Sequence, residues 1–433
     1  MGIPNSSKRR IAIVGTGISG MVAGRALHER HDITVFEAND YIGGHTNTVM
    51  VDDPAGRYGI DTGFIVYNER NYPLFSGLLK RLGVATEPTE MSFGVHCEQT
   101  GLEYNGSSLS GLFAQRANLV KPSFYAMLAD ILRFNRTAER ILDEDHHETL
   151  GDYLAARNLG ARFRDQYLVP MAAAIWSASP LDILDFPAKA MIRFFANHGL
   201  LSLRDRPQWR VVSGGSANYV AKLVEPYRNR IRLNSPITSI SREHGKVRVE
   251  IGRDEKQQFD SVFLACHSDQ ALKLLADPSA KEQEILGAIG YQRNEAVLHT
   301  DTSILPRRAR ALAAWNYRIP AAAAADPVLV TYSMNTLQNI QPQRHYCVSL
   351  NSGDRIREAD VIKRISYDHP VFNPEALVAQ RRLSEINGVH GTYYCGAYWG
   401  WGFHEDGVHS ATNAVQVFEK HEHEPQRNLR RAG

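Results

Sequence analysis

The sequence predicts an α/β chain in which one parallel-sheet domain is interleaved with a second, α+β domain. Three observations carry this. An apolar, β-branched run at Ile11–Val14 leads straight into the glycine turn Gly15-Thr16-Gly17-Ile18-Ser19-Gly20 and a helical stretch. Strand-turn-helix signals return at Trp209–Val224 and again at Thr392–Lys420. The two segments between them differ in character: the first is helical and punctuated by Pro170, Pro180 and Pro187, and the second mixes helix and strand.

Taken in order, Ile11–Val14, the glycine turn, a helix from Met21 to about Arg30 and the strand Ile33–Phe36 make a β-turn-α-β unit. Such a unit opens a Rossmann-type fold. Helical periodicity then covers Leu74–Leu82, Pro122–Leu142, Leu150–Ala156 and Ala188–His198. Short strands are expected at Ile231–Leu233, Ile237–Ser241, Val247–Ile251 and Ser261–Ala265. The second excursion carries a helix at Glu282–Ile289, strands at Ala296–His299, Val328–Ser333 and Tyr346–Leu350, and an Ala-rich turn at Ala321–Ala325. The strand Thr392–Cys395 and a helix from Val408 close the chain. The expected division is a discontinuous nucleotide-binding domain at 1–70, 205–267 and 388–425, with a substrate domain at 71–204 and 268–387.

Bulk properties narrow the class. A length of 433 residues favours two connected domains. With 43% hydrophobic and 22% charged residues and a net charge of +2, the composition is that of a globular protein and gives no sign of a nucleic-acid partner. Cys97, Cys266, Cys347 and Cys395 form no C-x-x-C pair and have no histidines at metal-site spacing, so neither a metal nor a disulfide framework is expected. The N-terminal residues leave no room for a signal-peptide apolar region, and no apolar run reaches membrane-span length. The expected location is the cytoplasm.

The glycines have distinct physical tasks. Gly15 makes the tight turn, Gly17 lets a diphosphate approach the backbone, and Gly20 lets helix and strand pack closely. The helix N-terminus, from Ile18 and Ser19, offers free N–H groups and a positive dipole end to that diphosphate. Glu37, at the end of the next strand and followed by Ala38, suits a ribose whose hydroxyls it can accept from. A glycine turn with no nucleotide is the competing reading of the motif alone.

Glu37 is followed by Gly43-Gly44-His45-Thr46, which resembles the second glycine motif of the FAD-dependent amine-oxidase superfamily, a group that includes amine oxidases, protoporphyrinogen oxidase and carotenoid desaturases. The family usually has Arg where this chain has His45. Asp61-Thr62-Gly63-Phe64 resembles the next family segment, near the flavin, and Pro236-Ile237 matches the place where backbone meets adenine. The string from Gly396 to Glu405-Asp406-Gly407-Val408 resembles the last FAD motif, with Ala397 where an acid is common. The resemblance implies non-covalent FAD and a two-electron oxidation. It places Trp399, Trp401 and Phe403 as an aromatic wall beside the flavin, against the alternative of simple core packing.

The lysine that many amine oxidases hold near the flavin has no evident counterpart: Lys273, Lys281 and Lys363 read as surface. His299, Asp301, Trp315, Asn316 and Tyr317 read as structural, and His146-His147 as a solvated loop. Gly43-Gly44-His45-Thr46, Asp61–Asn68, His369–Phe372 and Gly396–Gly407 together resemble a bacterial subgroup encoded beside cyclopropane-fatty-acid-synthase-like methyltransferases. That finer resemblance implies a lipid-like substrate, desaturation of a methylated acyl chain, and a lipid methyltransferase partner. An amine oxidase and a non-catalytic flavin-binding partner of the methyltransferase are the alternatives. The segment 114–142 carries Arg116, Lys121, Arg133, Arg136 and Arg140 beside Tyr125, Leu128, Ile131, Leu132 and Leu142. It reads either as an ordinary core-facing helix or as peripheral contact with an anionic membrane at its inner face.

Overall fold

A computed structural model describes residues 8–143, 148–202, 206–321 and 328–431, with side chains as far as 423. His146-His147 and most of the Ala-rich turn at 321–325 lie outside the described residues. The two principal sheets are separate. The first has five parallel strands in the order Ile231–Arg232, Asp32–Phe36, Arg10–Val14, Ser261–Leu264 and Thr392–Tyr394. Strands from the start, middle and end of the chain therefore lie side by side.

Both faces of this sheet are covered, which is why its strands are nearly continuous apolar runs. Side chains alternate in direction along Arg10–Val14. Ile11 and Ile13 pack with Met21, Leu27, Tyr219, Leu223, Val408 and Phe418 from three helices, Ile18–Leu27, Ala217–Val224 and His404–Arg431. Ala12 and Val14 face the opposite way, toward Val247, Val249 and Phe259 of an antiparallel meander, Ile237–Glu243, Lys246–Ile251 and Glu255–Phe259. The last helix begins at His404, a turn earlier than the sequence suggests, because the residues from His404 onward pack on the first helix.

The second sheet has seven strands in the order Val361–Pro370, Tyr291–His299, Cys347–Leu350, Val330–Ser333, Trp315–Ile319, Phe93–Cys97 and Leu102–Asn105. The last two come from the first excursion and join the rest through the one parallel pair of this sheet, Trp315–Ile319 with Phe93–Cys97. Helices of the segment 109–202 cover it and supply about half of the largest core cluster. Pro122–Thr137 buries Phe124, Met127 and Phe134 against that core, so the core-facing reading describes its main face. Its exposed side holds Tyr125 and Leu132, while Leu128, Ile131 and Leu142 are half-buried. Among the described residues no helix is long and apolar enough to cross a membrane, and no group of three or more His, Cys, Asp or Glu is arranged to hold a metal.

Candidate active site

The glycine turn sits at the carboxyl end of the parallel strands, where ligands bind in doubly wound sheets. Gly15 has φ +101°, and a Cβ there would lie 2.8 Å from the Ala265 carbonyl. A Cβ at Gly20 would collide with the Gly15 carbonyl at 2.0 Å. At Gly17 it would meet nothing within 4 Å, so this peptide faces open space. The helix starting at Ile18 has no acidic residue in its first turn to compete for its free N–H groups.

Glu37 is buried beside this turn. One carboxylate oxygen accepts from the Thr16 backbone N–H at 2.9 Å and from its hydroxyl, and the other accepts from Asn39 N at 3.0 Å and Asn39 Nδ2 at 2.8 Å. The acid thus fixes the turn. Ala38 is exposed beside it, and Ser235 N donates to the Glu37 carbonyl at 2.8 Å, which brings the Pro236-Ile237 backbone alongside.

The second glycine motif lies against the first. Gly43 N donates to Thr16 Oγ1 at 3.2 Å, and a Cβ on Gly44 would lie 3.2 Å from the Gly17 Cα. Gly63 is packed on the His45 carbonyl, and Phe64 N donates to that carbonyl at 2.9 Å. Gly15, Gly17, Gly44, His45, Gly63, Phe64, Cys266 and His267 are each half-buried although protein encloses them. They line one crevice. Open backbone at Gly17 and two opposed glycine turns fit a bound dinucleotide.

The C-terminal motif closes the crevice. Ser19 Oγ donates to the Gly407 carbonyl at 2.9 Å, and a Cβ on Gly407 would lie 2.6 Å from Ile18 Cγ2, so only glycine lets the two helix starts meet. Val408 is buried in the cluster behind the parallel sheet, and Gly396 N donates to Ser410 Oγ at 3.1 Å. The side chains of Glu405 and Asp406 have structural work instead of a direct place in the crevice. Glu405 accepts from Leu74 N and Phe75 N at 2.8 and 2.9 Å, capping the helix Pro73–Arg81. Asp406 accepts from Trp401 N and Phe403 N at 3.0 and 2.9 Å, holding the glycine turn, and burial pushes its carboxyl up to about 6.

The three expected aromatic residues do not form one wall. Trp401 lies 5.9 Å from Phe186 and 5.7 Å from Phe372, and Phe403 stacks on Phe194 at 5.3 Å. Trp399 packs on Tyr398 and lines a separate surface cleft of about 460 Å³ with Gln380, Asp406 and His409. The reason is the 3-10 turn Ala397–Trp399 between Gly396 and Gly400, which sends its ring to the other side of the chain.

Two contributors were not singled out from sequence. His404, one residue after Phe403, stacks on Phe64 at 3.5 Å, and its Nε2 lies 3.0 Å from Thr46 Oγ1 and 2.9 Å from Tyr219 OH. Burial pushes its pKa down to about 3, so it is neutral. It ties the second glycine motif to the last helix. Trp176 stands among Phe186 and Phe194 with its buried indole N–H unpartnered. Only its membership in an apolar run was visible in the sequence. His299 and Asp301, by contrast, are structural: His299 Nε2 meets Ser349 Oγ at 2.8 Å, and Asp301 accepts from Ser303 N and Arg357 N. Asn316 holds Ala313, Trp315 packs on Tyr332, and Tyr317 is core.

With this geometry in place, comparison with known proteins is decisive at one level. The sequence profile of the flavin-containing amine oxidoreductases matches residues 18–307. The chain belongs to that family. It is a flavin-dependent oxidoreductase, and the cofactor is FAD. A stretch of 99 residues is 35% identical to tryptophan 2-monooxygenase of Pseudomonas savastanoi, covering 22% of this chain and only 17% of that one. Among solved structures, cyclohexylamine oxidase from Brevibacterium oxydans shares the fold with a TM-score of 0.71 at 16% identity, covering 96% of this chain and all of that one. A fatty acid isomerase from P. acnes that produces CLA does so with a TM-score of 0.66 at 16% identity, with the same coverage. Putrescine oxidase bound to putrescine gives 0.68 at 15%, covering 95% of this chain and 99% of that one. At these identities it is the architecture that is shared.

Proposed function

We propose that this flavin enzyme oxidises a lipid-like substrate by two electrons, with desaturation of a methylated fatty acyl chain as its specific reaction. The observation that carries the reading is the aromatic group Trp176, Phe186, Phe194, Phe372, Trp401 and Phe403. An apolar chain gains about 0.8 kcal/mol for each CH₂ it buries against such a surface. Within that group the Trp176 N–H is a buried donor with no protein partner, suited to an acyl carbonyl or carboxylate. The shared fold of a fatty acid isomerase is consistent with it.

In this reading Gly15, Gly17, Gly20 and the first helix hold the diphosphate, Glu37 the ribose and Ile237 the adenine. Gly43–Thr46, Gly63, Phe64 and the backbone at Gly396 and 405–408 surround the flavin. Bound FAD supplies the acceptance of two electrons. The protein's part is to bind and orient the chain, exclude water with its aromatic rings, and place positive helix ends where charge develops. The division into a nucleotide-binding domain at 1–70, 205–267 and 388–425 and a substrate domain belongs to the same proposal, as does a lipid methyltransferase partner.

A membrane-facing mouth follows from an insoluble substrate. Leu109 (78% exposed), Leu119, Val120 (82%), Tyr125 and Leu132 form much of the exposed apolar surface, and Arg116, Lys121, Arg133, Arg136 and Arg140 stand exposed among them. Such a surface suits anionic lipid. Amine oxidation is the second reading, favoured by the family itself. The separating experiment is anaerobic flavin bleaching with methylated acyl phospholipid and, in parallel, with alkylamines and putrescine. Bleaching by the lipid is expected. Bleaching by amines alone would overturn the lipid reading and leave the family assignment intact.

A further inference from the structure

Three imidazoles meet at the mouth of the crevice, each from a different element. His45 follows Gly44, which lies against Gly17. His267 follows Ala265 and Cys266, the residues that touch the Gly15 turn. His369 ends the long strand Val361–Pro370 of the other sheet. The His45 ring centroid is 5.8 Å from that of His267 and 5.4 Å from that of His369, and it stacks on Tyr367 at 4.7 Å. All three rings are enclosed by protein yet keep accessible surface, as residues lining a cavity do.

Their hydrogen bonds separate their roles. His369 Nδ1 accepts from Asn294 Nδ2 at 2.9 Å, and the Asn294 carbonyl accepts from Asn351 Nδ2 at 2.7 Å, so the amide cannot turn over without loss. That bond leaves His369 with its proton on Nε2. One His45 ring nitrogen donates to the Asp368 carbonyl, which leaves its other nitrogen to accept a proton. His267 stands at the start of the helix Ser268–Leu274, its buried Nδ1 facing the Gln270 backbone N–H in a capping box. Among the described residues, no arginine or lysine is one of the charged groups acting on the three rings. The groups facing the cluster are His404, the hydroxyls of Tyr41, Tyr291 and Tyr367, and the carboxylates of Asp269 and Asp368 on the His267 side. Burial holds all three rings neutral while no anion is present; repulsion from neighbouring imidazoles adds to this for His45 and His369, whereas Asp269 and Asp368 oppose it at His267.

We propose that the His45–His267–His369 cluster is a proton-loaded clamp for the FAD diphosphate: one proton enters the cluster as FAD binds and leaves as FAD dissociates. A diphosphate seated at Gly17 brings negative charge beside the loop that carries His45, and an opposite charge within about 4–6 Å favours the protonated ring by one to three pKa units. The charge that arginine would carry permanently is here carried only in the loaded state. This rests on the FAD assignment and goes beyond it, because it makes cofactor retention depend on pH.

The test uses purified holoprotein. Free FAD is measured by its fluorescence after dilution between pH 5 and 8, a range in which FAD itself does not change charge. In a weakly buffered solution an indicator dye counts protons as FAD leaves. We expect affinity to fall by up to tenfold per unit rise in pH, with up to one proton released per FAD. His45→Arg should hold FAD with no pH dependence and release no proton. His45→Gln should bind more weakly and be equally flat, which keeps the test open if the arginine does not fit. A flat wild-type profile with no proton released overturns the proposal. So does a pH dependence retained in both variants, which would place the proton elsewhere. Protein that never carries FAD would instead overturn the cofactor assignment.

Discussion

Replacing Glu37 by Ala probes the junction of fold and cofactor. The side chain is 5% exposed and takes four hydrogen bonds, two from Thr16 and two from Asn39. Alanine leaves the backbone N–H groups of Thr16 and Asn39 without their acceptor, whereas the Thr16 hydroxyl and the Asn39 amide can rotate toward other partners. Each stranded backbone donor costs about 1–3 kcal/mol, so the variant should lose about 2–4 kcal/mol once some water enters. For a chain of 433 residues that is a fall in Tm of about 2–4 °C. On the proposed ribose role the same change also removes that acceptor and frees the Gly15–Gly20 turn, so FAD affinity should weaken roughly ten- to a hundred-fold. Thermal unfolding of FAD-stripped protein measures the first effect, and FAD retained after exhaustive dialysis measures the second. A variant with unchanged Tm and unchanged retention would refute the argument. Unchanged retention with a lowered Tm would show that Glu37 serves the turn and not the ribose.

Two further outcomes are expected. Acid precipitation should release all the flavin into a yellow supernatant, because Cys395 is fully buried with its thiol pushed strongly toward the protonated form; flavin held in the pellet would contradict this. Acid should also destabilise the fold through its neutral histidines. Burial holds His404 at about 3 and His299 at about 4, while both protonate near 6.5 when unfolded. Stability from these groups is therefore complete above about pH 6.5 and declines as pH falls, by about 2 kcal/mol for each at pH 5. Urea unfolding at pH 7 and pH 5 should show the loss, and His404→Gln should reduce it by about 2 kcal/mol.

What the sequence made legible was local. The first β-turn-α-β unit could be read because its strand, turn and helix are contiguous and each glycine answers a steric demand within a few residues. The strand Val361–Pro370 went unread because it lies at the edge of its sheet, where Ile362, Lys363, Arg364 and Ser366 are exposed and only Tyr367 is buried, so no apolar alternation marks it. Its pairing with Tyr291–His299 is set by residues about 70 positions away. The hairpin Thr48–Asp53 and Gly56–Asp61 was missed for a related reason: Asp61 is buried by contacts to Thr48, Ser216 and Gln338, which no local pattern announces. The site was legible as a set of backbone turns and less so as side chains. Trp399 and Trp401 are two residues apart, and strand-like alternation would put them on one face. The intervening 3-10 turn puts them on different faces.

The roles of Glu405 and Asp406 lead to a consistent electrostatic account of the crevice. Motif resemblance places both acids at the flavin, yet each carboxylate is held by backbone N–H groups of other segments: Leu74 and Phe75 for one, Trp401 and Phe403 for the other. They stabilise the start of the last helix while directing their charge away from the first. Gly407 then lets that helix start lie directly on Ile18 and Ser19, so two positive helix ends stand side by side at the mouth of the parallel sheet. Ala397 adds no negative charge where related proteins often have an acid, and His45 adds no fixed positive charge where they have arginine. On the proposed placement of FAD, the field that would draw it into this crevice is built mainly from backbone dipoles, which do not titrate. The imidazoles of His45 and His267 are the part of it that can respond to the cofactor's arrival.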